Sequence, residues 1–94
     1  MTLGEFIQQQ RKLKGMTQRE LARQLVISDG YMSKIENDRE QPKPFVMENI
    51  AIALDLDYYE LALMAGYVPQ PVIEAMQQRP GQAIAIWRKF ADYE

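Results

Sequence analysis

Neither cysteine nor histidine occurs anywhere in the 94 residues. Without thiols no disulfide can staple the fold, which fits a reducing compartment and leaves stability to a packed core. The same two absences remove the commonest general bases, thiol nucleophiles and zinc ligands. No phosphate-cradling glycine loop is present, and the 13 Asp and Glu fall mostly at cap positions or spaced surface sites. These gaps predict a protein that is not an enzyme and that uses neither metal nor cofactor. No stretch approaches the roughly 18 uninterrupted apolar residues of a membrane span; the apolar-rich segments are cut by Asp55, Asp57 and Glu60. The opening Met1-Thr2-Leu3-Gly4-Glu5-Phe6 carries no basic start and no apolar run, so no signal peptide is visible. The expectation is a soluble, cytoplasmic chain with no membrane partner. Alternating strand patterns, internal repeats and low-complexity tracts are missing as well.

What is there reads as helix. Hydrophobic residues make up 47% of the chain, enough for a modest core in one domain, or in one domain with an appendage. Thr2-x-x-Glu5, Thr17-x-x-Glu20 and Asp57-x-x-Glu60 each have capping-box spacing, with Met1/Phe6, Met16/Leu21 and Leu56/Leu61 placed as hydrophobic staples. Gly15 and Gly66 suit C-terminal caps, Ser28 can cap a third helix over about 29–37, and Pro44 suits the first turn of a fourth. Apolar residues recur at helical spacing in Leu21/Ala22/Leu25, Met32/Ile35 and Met47/Ile50/Ala51/Leu54. Past Gly66 a short helix near 71–79 is expected, then a break at Pro80-Gly81 and a last helix near 82–92. The predicted architecture is all-α: a five-helix domain over 1–67 and a helical extension over 68–94.

The net charge is −2, but it is unevenly spread. Residues 1–43 hold eight Lys/Arg against six Asp/Glu, whereas residues 44–94 hold three against seven. A basic half joined to an acidic half suits a phosphate-facing surface backed by a solvated or partner-facing one.

The informative stretch is 17–37, Thr-Gln-Arg-Glu-Leu-Ala-Arg-Gln-Leu-Val-Ile-Ser-Asp-Gly-Tyr-Met-Ser-Lys-Ile-Glu-Asn. It reads as a helix of about eight residues, a turn at Val26-Ile27-Ser28, and a second helix. Small Ala22 allows the two helices to approach closely. The second helix then keeps an outward face of Asp29, Gly30, Tyr31, Ser33 and Lys34, of a size that fits the roughly 12 Å major groove. Here the sequence resembles the Cro/cI-like, or XRE, helix-turn-helix family. The resemblance runs over about residues 2–66, through Leu3-Gly4, Arg11, Thr17-Gln18-x-Glu20-Leu21-Ala22, Tyr31-Met32-Ser33-Lys34-Ile35-Glu36-Asn37, Pro42 and Ile50-Ala51-x-Ala53-Leu54.

The resemblance implies sequence-specific binding of double-stranded DNA by a transcriptional regulator, one that represses or otherwise controls transcription. It puts Gln18 on a DNA phosphate, and Asp29, Gly30, Ser33 and Lys34 on the base-reading face. Ser28, at the start of that helix, is counted with the DNA-facing set. Tyr31 either touches a sugar, phosphate or thymine methyl or packs its ring on the second helix. Asn37 and Arg39 match backbone-contacting positions, Lys43 reaches the backbone or minor groove, and Arg11 pairs with Glu36 to tie the first helix to the third.

Two positions depart from the family pattern. Val26 stands where glycine is usual, which predicts a mildly strained turn. Asp29 and Gly30 stand where long amide or hydroxyl side chains are common. Asp29 either complements the helix dipole or accepts from a cytosine amino group. One such helix reads only a few base pairs, so a homodimer with reading helices about 34 Å apart is expected. Trp87, Phe90 and Tyr93 form a C-terminal aromatic cluster that either packs back on the domain or serves as a dimer or protein-partner interface. The competing reading is a protein-interaction module on the same fold, as a scaffold, an antitoxin-like partner or the regulatory domain of a longer protein.

Overall fold

The computed structural model describes residues 1–91, which form seven helices. They are α1 (Leu3–Leu13), α2 (Gln18–Leu25), α3 (Asp29–Glu36), α4 (Pro44–Leu54), α5 (Tyr58–Met64), α6 (Gln70–Gln78) and α7 (Pro80–Ala91). The first five enclose one core. Ile7, Leu21, Met32, Ile35, Met47, Ile50, Leu54 and Leu61 are its largest fully buried side chains, each worth about 1.5–3 kcal/mol relative to exposure.

Two of the three expected capping boxes form in full. The Glu5 N–H donates to Thr2 Oγ1 while the Thr2 N–H donates to Glu5 Oε1 at 2.8 Å; Thr17 and Glu20 repeat the pattern. The backbone donors hold both exposed carboxyls below the usual glutamate range, because they bond the charged form. The third is a plain N-cap: Asp57 Oδ1 accepts from the Tyr59 N–H at 2.8 Å, without a reciprocal bond from Glu60. Met1 is largely exposed, whereas Leu21 and Leu61 are fully buried with Met16 and Leu56 packed on the same core. Gly15 and Gly66 adopt positive φ just past α1 and α5, as helix-ending residues do.

A loop residue unremarked in the sequence locks the start of α1. Asp38, itself left-handed at φ 58°, accepts from the Gly4 N–H at 2.9 Å and from the Thr2 hydroxyl. This draws α1 against the end of α3 so closely that a Cβ on Gly4 would lie 2.5 Å from the Glu36 carbonyl oxygen.

The expected break at Pro80-Gly81 is displaced. Arg79, at φ −134° and ψ 60°, makes the turn, and Pro80 opens α7 as its first residue, where a missing N–H costs nothing. Helices α6 and α7 pack on each other as a hairpin, and neither contains a buried residue. The radius of gyration, 15.4 Å, exceeds the roughly 12–13 Å of a compact chain this long.

Candidate nucleic-acid interface

The α2–α3 pair turns on Val26, at φ 57° and ψ 47°. A β-branched residue costs about 1–2 kcal/mol in this left-handed conformation. The Ile27 N–H bonds the Ala22 carbonyl at 3.0 Å, Leu25 is buried on one side, and Ile27 packs on the core on the other. The turn is thus held by its neighbours, while the Val26 side chain is 89% exposed.

Ser28 starts α3 by accepting from the Tyr31 N–H at 3.0 Å. Met32, Ile35 and Glu36 form the buried side of α3; Asp29, Gly30 and Lys34 are exposed, and Ser33 and Tyr31 are half-buried. Nothing lies within 4 Å of a Cβ built on Gly30, so this glycine answers no packing need inside the chain and leaves open space on the outer face.

Beneath that face lies the Arg11–Glu36 pair. Arg11 Nε donates to Glu36 Oε2 at 2.7 Å and Nη2 to Oε1 at 3.0 Å, with side-chain exposures of 8% and 0%. Arg11 Nη1 also donates to the Met16 carbonyl at 2.8 Å, fastening the α1–α2 link. Glu36 Oε1 accepts in turn from Gln18 Nε2 at 3.1 Å. The amide at the start of α2 is therefore held by the same carboxylate that joins α1 to α3, and no buried side-chain nitrogen or oxygen lacks a partner among the described residues.

The remaining positions divide. Arg39, Lys43 and Lys34 are exposed cations around α3. The Asn37 amide turns back onto its own helix, donating to the Ser33 carbonyl at 2.9 Å and to Ser33 Oγ at 3.3 Å, so a phosphate would have to compete with those bonds. Tyr31 packs against the core and its hydroxyl accepts from the Lys43 N–H at 3.4 Å, bridging α3 to the start of α4. Sequence reasoning passed over Arg19. Its guanidinium lies beside Asp29, Nε to Oδ2 at 3.4 Å, joining the first turn of α2 to the first residue of α3. The signal was available, since a helix-turn-helix brings these two helix starts to one side.

Trp87 and Phe90, which had two possible placements, do not pack back on the core: they are 60% and 69% exposed. Tyr93 lies outside the described residues. Among the described residues no group of three or more acidic side chains is arranged to hold a metal ion, and no helix is long and apolar enough to cross a membrane.

Comparison with known proteins agrees with this geometry. A control-region protein of Bacillus phage phi105, "ImmF control region 10 kDa protein", is 42% identical over 55 residues, which cover 58% of this chain and 61% of that protein. The match thus spans less than two thirds of the phage protein's length. Among solved structures, SinR, the master regulator for biofilm formation, in complex with DNA aligns with a TM-score of 0.60 at 31% identity, over 64% of this chain and 97% of that one. A SinR–SinI complex aligns with a TM-score of 0.61 at 25% identity, over 98% of this chain and 93% of the other. The helix-turn-helix family profile matches residues 7–61, more than half the chain, and the protein belongs to the XRE-type helix-turn-helix family.

Proposed function

We propose that this chain is a sequence-specific DNA-binding regulator of transcription that inserts α3 into the major groove and acts as a homodimer. The observation that carries the proposal is the exposed outer face of α3, presented by a body similar to a SinR that was solved with DNA. In this reading Lys34, Ser33 and the open surface at Gly30 face base edges. Gln18, Arg39 and Lys43 fix the register on phosphates, with Asn37 joining once it is released from Ser33. The Arg11–Glu36 pair does not touch DNA; it sets the angle between α1 and α3 and holds Gln18 ready. The role needs no catalytic group and no cofactor, and it belongs in the cytoplasm.

The α6–α7 hairpin is the proposed dimerisation element and residues 1–67 the reading domain. Two copies would set their reading helices about 34 Å apart, one turn of DNA, on a two-fold site. A different protein as the hairpin's partner has its own support, because the likeness to the SinR–SinI complex extends over 98% of this chain.

Selection from a random duplex pool, with Lys34→Ala alongside, tests the reading. A two-fold motif that Lys34→Ala loses is the expected result. A half-site motif alone would remove the hairpin as a sufficient dimeriser, and weak, sequence-blind binding would favour a protein-interaction module.

A further inference from the structure

The Arg19–Asp29 pair is a poor device for stability. Its side chains are 69% and 58% exposed and meet at 3.4 Å, and exposed pairs of this kind contribute at most about 1 kcal/mol. Its position is more telling than its strength. Arg19 stands in the first turn of α2, beside Gln18, and Asp29 is the first residue of α3. The closest approach to Asp29 is at Nε, and a guanidinium held there can still present its two terminal Nη groups outward. Those two groups form the planar fork that matches guanine O6 and N7, the commonest specific contact in the major groove. Next to Asp29, Gly30 presents no side chain and meets nothing within 4 Å, so a base edge can approach without obstruction.

We propose that Arg19 is a specificity-determining residue that reads a guanine, and that Asp29 is its positioning residue. The inference rests on the reading of α3 as a DNA-recognition helix. It also accounts for a carboxylate on a surface meant for a polyanion. Alone, Asp29 would repel the backbone; paired with Arg19 it is charge-balanced and restricts a long side chain that otherwise loses rotamer freedom on binding. Direct reading of cytosine by Asp29 would instead leave Arg19 without a sequence role.

The test repeats the selection with the full chain as Arg19→Ala, Arg19→Lys, Asp29→Asn and Lys34→Ala, and measures binding of the recovered site against single-base variants at several salt concentrations. The expected outcome is one guanine per half-site whose preference falls roughly 5- to 150-fold in Arg19→Ala. Arg19→Lys should recover little of it, since lysine lacks the fork. Asp29→Asn should weaken discrimination at the same base pair, while Lys34→Ala acts at another. If Arg19→Ala weakens all sequences equally and makes the salt dependence shallower by about one charge, Arg19 is a phosphate contact and the proposal falls while DNA reading stands. If Asp29→Asn alters the preferred base and Arg19→Ala does not, Asp29 reads directly and the proposal falls again. A wild-type chain that selects no motif overturns both the proposal and the DNA reading beneath it.

Discussion

The five-helix body and the α6–α7 hairpin are made of similar residues and organised by different rules. The body has an interior of fully buried apolar side chains, although Leu13, Phe45, Ile52 and Leu63 stay exposed on its surface; it also closes a charged pair inside and holds three non-glycine residues, Val26, Asp38 and Asp55, at positive φ. The hairpin buries none of its own residues and exposes Ile84, Ile86, Trp87 and Phe90. Strain persists only where the surroundings over-determine it, and the described residues show non-glycine positive φ in the body alone. The contrast separates a unit whose energy is internal from one whose apolar surface is still available to a partner.

The sharpest way to break the body is to open its buried pair. Glu36→Ala leaves the Arg11 guanidinium buried with only the Met16 carbonyl, and also frees Gln18. The expected loss is about 3–5 kcal/mol in urea unfolding. Removing both charges, as Arg11→Met with Glu36→Leu, should restore much of that stability, because an apolar pair of similar volume is often as stable. If Glu36→Ala cost under about 1 kcal/mol, the pair would behave as a surface pair and its burial would count for little.

Gly4→Ala comes next. The added methyl would stand 2.5–2.6 Å from two backbone carbonyl oxygens of α3, at Glu36 and Ile35. Backbone cannot swing aside as a side chain can, so α1 must shift at a cost of about 1–3 kcal/mol. The control is Gly30→Ala, which meets nothing within 4 Å and should stabilise the helix by about 0.5–1 kcal/mol. Opposite signs for one substitution would mark one glycine as a packing necessity and the other as an open surface. Thermal midpoints of the two variants decide it.

The same division governs what could be read in advance. Helix starts were legible where the cap is local: Thr2, Thr17 and Ser28 bond N–H groups three residues on. The Arg11–Glu36 pair was legible through family resemblance alone, since nothing local links residues 25 apart. Asp38 was missed for the same physical reason, because it caps α1 from a loop 34 residues away. Asp57-x-x-Glu60 has capping-box spacing, but the reciprocal bond depends on a glutamate rotamer that spacing does not specify. The Pro80-Gly81 break was misplaced because proline both stops one helix and starts another. On the outer face of α3, exposure of Lys34 and Gly30 followed from periodicity. The Arg19–Asp29 contact was legible only through the helix-turn-helix arrangement, which brings the two helix starts to one side and which periodicity alone does not encode.

Val26→Gly tests the strained turn with a smaller effect. The left-handed valine costs about 1–2 kcal/mol, while glycine adds about 0.5–1 kcal/mol of unfolded-state entropy. The valine side chain is 89% exposed, so little packing is lost, and the net expectation is a gain of about 0.5–1 kcal/mol. An unchanged or lower thermal midpoint would mean that Val26 makes contacts which outweigh its strain.

The smallest expected effect on intrinsic stability belongs to the hairpin, and it is the one that tests the other half of the contrast. Trp87→Ala with Phe90→Ala removes two large side chains that are 60% and 69% exposed. Truncation of a buried aromatic costs about 3–5 kcal/mol, but surface changes usually stay within about 0.5 kcal/mol. At low protein concentration, unfolding of the variant should therefore coincide with that of the parent. Association should not. If the hairpin joins two copies, the parent's midpoint rises with protein concentration by mass action and the variant's does not, and sedimentation should show a dimer replaced by a monomer. A variant that unfolds several kcal/mol early even when dilute would place the aromatics in the body's own core energetics and dissolve the distinction. A variant that stays dimeric would move the self-association surface elsewhere and leave the exposed rings for a different protein.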